Sequence, residues 1–252
     1  MNPTAKCTQV QSIPWERSAT GVDGFSFRLF YDEIPFEDRR TAGRLWGPLT
    51  NICRFEPGTV FPPLRVADGV CEIWVRKGSL DVNGTAYETG DWLQLRAGDD
   101  GWALSSPRGC EILSVVRGRF QSLAVQPLLA EAPRKIRADE MPWKESPTGA
   151  PGCFSRKLFQ YTSEGLGRDG FAGPYTTLYR LDAGSTYPLW RMSDGTCLVW
   201  VLRGSMELDG EEHSTDTFLE IPRGGDGWQL RSPHGCELLV IVQGRIELVR
   251  GT

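Results

Sequence analysis

The chain has 252 residues, a formal net charge of −4 at pH 7, and Lys and Arg residues that are scattered rather than clustered, which argues against a nucleic-acid groove. It contains no apolar stretch of about 18 residues and no signal-peptide pattern, so we expect a cytoplasmic protein without a membrane partner. Its seven cysteines are an odd number in a large chain, which favours reduced, buried thiols over disulfides.

The predicted elements, taken in chain order, are short β-strands separated by turn residues. Asn83-Gly84 and Asp209-Gly210 are dipeptides typical of tight hairpins with positive φ. No long window has helical periodicity. The strand candidates are the apolar runs 71–75, 92–95, 111–116, 197–201 and 237–242.

The sequence also contains an internal duplication. Shifted by 126 residues, it matches itself without a gap from Gly58 to Cys110, and 100–111 agrees with 226–237 at nine of twelve positions. Upstream, 13–21 matches 141–149 at an offset of 128. A period of this length is a whole domain rather than a solenoid repeat.

The duplication predicts an all-β fold with two barrels or sandwiches in tandem. We place the first domain over 1–125 and the second over 141–252. The intervening segment 126–140 carries charge and two prolines and is interpreted as a short linker.

Residues 57–101 resemble the first and second sequence motifs of the cupins, and 181–210 resembles the first motif again. The Pro-Trp…Thr-Gly lead-in of each repeat and the ending at 106–111 are most similar to the cupin group of the ChrR anti-sigma factor. The resemblance covers nearly the whole chain. It implies two tandem cupin barrels, which are jelly-roll (double-stranded β-helix) domains of the RmlC-like superfamily.

In this family two histidines and a glutamate of the first motif and a histidine of the second motif hold a metal ion. Counted from Gly58 and Gly184, the first-motif positions carry Leu64, Val66 and Cys71 in one repeat and Trp190, Met192 and Cys197 in the other. The second-motif histidine position falls on Gly101 and Gly227. Leu, Val, Trp and Gly have no metal-binding lone pair, and Met is a weak ligand. The sequence therefore predicts no metal and no other cofactor.

Strand alternation directs the residues at these positions into the barrels. Leu64 and Val66 in one repeat and Trp190 and Met192 in the other are therefore candidate ligand-binding residues of apolar pockets. Trp102 and Trp228, next to the lost histidine positions, are candidates for stacking on a ligand. The alternative is that all six side chains simply fill the former metal pocket as core. The sequence does not decide which barrel is open.

Two matched pairs are candidate catalytic residues. Asp68 and Asp194 each stand beside glycine at the predicted pocket mouth, where a carboxylate could act as general acid or base, although an Asx turn is the simpler explanation. Cys71 and Cys197 are candidate nucleophiles, with an inert buried thiol as the alternative. A further matched pair of mouth carboxylates is Asp100 and Asp226.

The two histidines, His213 and His234, fall in a predicted turn and a predicted loop, so we expect both at the surface. Trp74 and Trp200 alternate out of the pockets and are candidates for packing between barrels or between the subunits of a homodimer.

Three functions fit these observations. The first is a metal-independent enzyme that binds an apolar or aromatic small molecule and promotes an isomerisation, cyclisation or elimination. The second is a non-catalytic ligand-binding or regulatory module of the ChrR-like type. The third, a metal-dependent dioxygenase, is opposed by the missing ligands. The repeated mouth carboxylates favour the enzyme over the binding module.

Overall fold

The computed structural model describes residues 2–17, 21–32, 44–97, 101–123, 132–160 and 170–249. Within these residues every element is a β-strand except a single turn of 3₁₀ helix at Val10–Ser12, which confirms the expected all-β class. No helix in this part of the chain is long and apolar enough to cross a bilayer. The chain forms two compact units, here named the first barrel (Ile13–Glu140) and the second barrel (Met1–Ser12 with Met141–Thr252).

The first eleven strands in chain order are β1 (Lys6–Gln9), β2 (Glu16–Arg17), β3 (Phe25–Asp32), β4 (Arg44–Trp46), β5 (Leu49–Phe55), β6 (Thr59–Val82), β7 (Thr85–Glu88), β8 (Asp91–Arg96), β9 (Trp102–Ser106), β10 (Cys110–Ser122) and β11 (Arg134–Arg137). All but β1 belong to the first barrel. Its main sheet has the order β11-β8-β6-β10-β5-β3-β2, with β4 added to β10 and with β7 and β9 added to β6.

The remaining strands are β12 (Lys144–Glu145), β13 (Cys153–Gln160), β14 (Gly170–Ala172), β15 (Tyr175–Leu181), β16 (Ser185–Thr186), β17 (Trp190–Asp194), β18 (Cys197–Leu208), β19 (Glu211–Ser214), β20 (Thr217–Ile221), β21 (Leu230–Ser232), β22 (Cys236–Val242) and β23 (Arg245–Leu248). Together with β1 they form the second barrel. Its main sheet has the order β1-β20-β18-β22-β15-β13-β12, and β14, β23 and β17 form a smaller sheet.

Each barrel includes an edge strand encoded outside the predicted domain limits. β1 pairs with β20 of the second barrel, and β11 pairs with β8 of the first. The predicted boundaries at 125 and 140 therefore differ from the observed units: 1–12 belongs to the second barrel, and the described part of the predicted linker belongs to the first. Both strands cover a sheet edge that would otherwise expose unpaired backbone groups, and such non-local pairing leaves no periodic signal in the sequence.

Local turn chemistry matches the predicted hairpins. Asn83 and Gly84 between β6 and β7, and Asp209 and Gly210 between β18 and β19, all have positive φ. This is the backbone that joins two antiparallel strands through two residues. The prediction of tight hairpins at both dipeptides is confirmed.

The interior of each barrel is a cluster of buried apolar side chains contributed by alternate residues of the strands. The opposite face of the sheet in the first barrel is also buried in part. There Trp74 stacks on Trp92 with parallel rings 5.2 Å apart, and Glu72 forms an ion pair with Arg117. Trp74 therefore faces away from the barrel interior, as the strand alternation predicts.

Candidate functional site

The residues at the lost metal positions lie inside the barrels. Leu64 and Val66 belong to the apolar core of the first barrel, and Trp190 and Met192 to that of the second. Trp190 is 4% exposed and Met192 is fully buried. The structure therefore brings together the side chains that the motif spacing assigned to one place in each barrel. Their role in ligand binding stays a prediction.

The second barrel contains a partly open cavity of about 40 Å³. Trp190 lines it, together with Cys197 and three tyrosines, Tyr175, Tyr179 and Tyr187. Six aliphatic side chains complete the lining. Two predicted pocket residues of this barrel, Met192 and Trp228, are buried in the core but do not line this cavity.

The three tyrosines form the polar part of the cavity. Each is between 5% and 8% exposed, and the rings of Tyr179 and Tyr187 meet edge to face with centroids 5.7 Å apart. Burial raises the pKa of Tyr175 and of Tyr179 well above the ordinary tyrosine value. Burial also raises the pKa of Tyr187, against hydrogen bonds with Tyr179 and Ser146 that act in the opposite direction. All three phenols are therefore neutral donors at neutral pH.

The three tyrosines stand out when the two repeats are compared, although they lie outside the metal motifs. At an offset of 126 residues the first barrel has Leu49, Cys53 and Phe61 in place of Tyr175, Tyr179 and Tyr187. Three substitutions to tyrosine on inward-facing positions of one repeat mark a change in the polarity of its interior. The motif positions alone could not reveal it, because these tyrosines lie on β15 and in the loop before β17.

The two tryptophans beside the lost histidine positions are buried wall residues. Trp102 pairs with Leu64 across β9 and β6, and Trp228 forms a β-bridge with Trp190. Each tryptophan thus lies next to the residue that replaces the first histidine. Trp102 and Leu64 therefore lie in the same part of the first barrel, as Trp228 and Trp190 do in the second. Of these four residues, only Trp190 borders the described cavity.

The thiols at the glutamate position are buried and neutral. Burial raises the pKa of Cys71 to about 12, and the thiol lies 3.5 Å from the hydroxyl of Ser114. Burial also raises the pKa of Cys197 far above the usual thiol range. Because the thiolate is the reactive form, both side chains are poor nucleophiles in this environment. Cys197 borders the cavity as a wall residue.

The predicted mouth carboxylates are exposed. Asp68 forms an ion pair with Arg119 and also accepts a hydrogen bond from the Arg119 backbone N–H at 2.8 Å. Asp194 lies opposite Arg245 where β17 pairs with β23. Neither aspartate lines the cavity. Of the second matched pair, Asp226 is exposed and its backbone N–H donates to Asn2, whereas Asp100 lies outside the described residues.

The two histidines lie in different environments. His234 is exposed in the turn between β21 and β22, as expected. His213 was expected in a surface turn, which is wrong: it lies in β19, is buried, and places Nδ1 3.7 Å from the thiol of Cys7. Burial lowers the pKa of His213. The sequence prediction failed because the strand begins directly after the Asp-Gly hairpin.

The donors present do not fit the metal ion that cupins hold. At the positions that correspond to the metal ligands, each barrel has one thiol, and the second barrel also has the thioether of Met192. These are fewer than the three imidazole or carboxylate ligands that a catalytic site requires. Within the described residues no three His, Cys, Asp or Glu side chains are grouped as metal ligands. The interior of each barrel instead presents apolar and phenolic surface.

Comparison with solved structures defines the fold. A Nostoc punctiforme protein provisionally assigned as a dioxygenase superposes with a TM-score of 0.69 at 12% identity, covering 98% of this chain and 87% of that one. A variant of Bacillus subtilis oxalate decarboxylase has a TM-score of 0.57 at 11% identity, covering 96% of this chain and 76% of that one. Escherichia coli pirin in complex with nickel(II) has a TM-score of 0.56 at 11% identity, covering 98% of this chain and all of that one.

The chain has a bicupin fold. The predicted tandem jelly-roll architecture is thereby confirmed. No protein-family model and no curated protein matches the sequence of the bicupin. At 11–12% identity the likeness to these structures concerns the fold, so the function has to be argued from the side chains.

Proposed function

We propose that the bicupin binds a small molecule in the cavity of its second barrel without the transition metal typical of the fold. The cavity itself carries this proposal: aromatic and aliphatic walls with a few convergent hydroxyl groups are the usual construction of a ligand site. Its position supports the proposal further, since Trp190 and Cys197 stand where two of the metal ligands would be.

Differences in packing between the repeats support the second barrel as the working one. In the first barrel Phe25 packs edge to face against Phe55 and Phe61, with ring centroids 5.0 Å away in each case. The residues matched to Phe25 and Phe55 are Cys153 and Leu181. Both are smaller, and Leu181 lines the cavity. The cavity therefore borders volume that aromatic rings fill in the other repeat.

A non-redox reaction such as an isomerisation, cyclisation or elimination is the second candidate function. It is favoured by the adjacent buried side chains of Tyr179 and Tyr187, because a buried phenol can donate a proton or hydrogen bond to a substrate. Binding without catalysis is the better supported of the two. The described residues that line the cavity include no carboxylate or imidazole to act as base, and Asp68 and Asp194 lie outside it.

The activities named for the structural neighbours are not proposed for this chain. Oxalate decarboxylase and the nickel(II)-bound pirin share its fold at 11% identity. The side chains at the ligand positions of the bicupin do not fit a metal of that kind. A metal content of one ion per barrel, measured on the purified protein, would overturn this part of the proposal.

Native mass spectrometry of the whole protein tests the binding site. We expect a small co-purified or added compound whose binding is lost in Leu181→Phe, which introduces the aromatic ring found at the matched position of the first barrel. The matched control is Phe55→Leu, which changes the same position of the other barrel and should leave binding intact. Binding that persists in Leu181→Phe and is lost in Phe55→Leu would show that the site lies in the first barrel.

The fate of the bound compound separates the two functions. A compound recovered unchanged after prolonged incubation with excess protein supports a binding module. Conversion that Tyr187→Phe slows, while the compound still binds, supports catalysis by the phenol. Conversion that requires added iron, manganese or nickel would instead support a metal-dependent enzyme.

A further inference from the structure

The polar groups around the cavity are mostly hydrogen-bond donors. Five of the described lining residues have polar groups in their side chains, namely Tyr175, Tyr179, Tyr187, Trp190 with its indole N–H and Cys197 with its weakly donating thiol. The indole N–H can only donate, whereas each phenol can donate one hydrogen bond and accept others. None of the described lining residues has a carbonyl or carboxylate group in its side chain. The complement to such a surface is a ligand that accepts hydrogen bonds.

Tyr187 is the best placed of these donors. The hydroxyl of Tyr187 is close to the side chains of Tyr179 and Ser146, both of which act to lower its pKa. The side chain is buried, with 8% of its surface exposed, and it borders the cavity. Because burial keeps the phenol neutral, its hydroxyl can donate a hydrogen bond to a ligand atom in the cavity.

The charge of the lining restricts the ligand further. The described residues that line the cavity include no Lys, Arg, His, Asp or Glu, and burial raises the pKa of all three tyrosines, so that they remain neutral. An ionised ligand would lose its hydration without gaining a counter-charge, which costs several kcal/mol or more. The site therefore selects an uncharged compound.

The size of the cavity sets the third restriction. A volume of about 40 Å³ accommodates roughly three water-sized groups. This is smaller than the engineered cavity of about 150 Å³ that binds benzene in another protein. The part of the ligand that enters is therefore a compact group of about three to four non-hydrogen atoms.

We propose that the second barrel recognises a small neutral carbonyl group, whose oxygen accepts a hydrogen bond from Tyr187 and whose substituents pack against Trp190 and the aliphatic walls. This inference rests on the proposed function and narrows it to a substrate class. It replaces the broad expectation of an apolar or aromatic ligand, because a purely apolar compound would gain no hydrogen bond from the Tyr187 hydroxyl.

Acetone and isobutene provide a matched pair of probes, because they have nearly the same shape and only acetone has an acceptor. Their binding to the full-length protein is measured by NMR titration of the methyl resonances of Val199 and Leu238, which line the cavity. We expect acetone to bind about tenfold more tightly than isobutene, which corresponds to one hydrogen bond of about 1.4 kcal/mol. Tyr187→Phe should abolish that preference while leaving isobutene binding unchanged.

The control variant is Tyr87→Phe, which removes the hydroxyl of a buried tyrosine in the first barrel. It should leave the acetone preference intact. Equal binding of both probes to the wild-type protein, or a preference that survives Tyr187→Phe, would overturn the carbonyl assignment and leave the cavity site standing. Failure of both probes to perturb the cavity methyl groups would overturn the binding site together with the assignment.

Discussion

Matched positions of the two barrels are filled by different chemistry. Where the first barrel packs Phe25, Phe55 and Phe61 against one another, the second has Cys153, Leu181 and Tyr187, of which Leu181 and Tyr187 line a cavity. The strand order and the hairpins are retained through this change. The same backbone therefore accommodates either a packed aromatic interior or a phenol-lined cavity. Glycines and turns determine the path of the chain, and the side chains determine how the interior is filled.

The largest expected difference between the barrels concerns the ion pair of the first. Arg117 and Glu72 are buried with side chains 5% and 0% exposed, whereas the matched residues of the second barrel are Leu198 and Gln243. Glu72→Gln should destabilise the first barrel by about 3–5 kcal/mol, because it leaves a buried charge without its partner. Urea unfolding combined with hydrogen exchange of β6 and β10 amides measures the loss.

The second repeat supplies the control for that variant. The double change of Glu72→Leu and Arg117→Gln copies the pair found in the second barrel and should return the stability to within about 1–2 kcal/mol of wild type. A double variant as unstable as Glu72→Gln alone would show that the loss arises from packing rather than from the uncompensated arginine.

The edge strands differ in how they are anchored. Buried Asp91 forms ion pairs with Lys135 at 2.8 Å and Arg137 at 3.4 Å on β11, whereas the side chain of Gln9 on β1 donates a hydrogen bond to Thr217 at 2.8 Å. Asp91→Asn should cost the first barrel about 1.5–3 kcal/mol, and Thr217→Val should cost the second about 0.5–1.5 kcal/mol.

The contributions of these two contacts to stability should respond differently to salt. The cost of Asp91→Asn should shrink in urea unfolding at about 1 M NaCl, because both cationic partners are partly exposed and therefore screened. The cost of Thr217→Val should not change. Equal salt dependence of the two variants would contradict an ionic contribution at Asp91 that is absent at Thr217.

Exchanging one pair of matched residues should have opposite effects on the two barrels. Phe55→Leu removes part of the aromatic cluster and should destabilise the first barrel by about 1 kcal/mol. Leu181→Phe enters the cavity and should stabilise the second by about 0.5–1 kcal/mol. Thermal unfolding of each variant measures the change in stability. Lower stability of both variants would mean that the cavity cannot hold the larger ring.

The smallest expected effect concerns a surface carboxylate with a pKa that the fold changes. Burial raises the pKa of Glu111, but hydrogen bonds from Arg54 and Lys77 outweigh it, so that the net shift is downward. A lowered folded-state pKa stabilises the first barrel above the unfolded pKa near 4.5, and this stabilisation disappears as the pH falls through the folded value. Glu111→Gln should therefore cost about 0.5–1 kcal/mol at pH 7 and nothing in strong acid.

The matched residue in the second barrel is the control for this pH dependence. Glu237 lies 4.0 Å from Arg203, the residue matched to Lys77, and the arginine is largely exposed. In urea unfolding at pH 7, Glu237→Gln should lower the free energy of unfolding by less than Glu111→Gln does. A larger cost for Glu237→Gln would reverse the expected order of the two pairs.

Much of the fold could be predicted because its signals are local. The repeat spacing located both barrels, and the Asn-Gly and Asp-Gly dipeptides located two hairpins. The inward positions of Leu64, Val66, Trp190 and Met192 followed from strand alternation counted from Gly58 and Gly184. The closing glycine Gly78 explains why the frame survives, since a Cβ there would collide with the Gly109 carbonyl.

The candidate site was predictable only in part. Trp190 and Cys197 were named from the motif and do line the cavity, but the tyrosines beside them were not. Asp68 and Asp194 were expected at a pocket mouth, with an Asx turn as the simpler alternative, and both lie at the surface apart from the cavity. A turn signal shows that the chain reverses, but not which other segments border the turn.

The sequence by itself determined the duplicated all-β frame and the inward direction of the residues at the ligand positions of the motif. These depend on spacing and on strand alternation, both of which act over a few residues. The tertiary structure decided which strand completes each sheet and where a cavity remains. Pairing of β1 with β20, and the space between Tyr187, Trp190 and Leu181, depend on the summed volumes of side chains far apart in sequence.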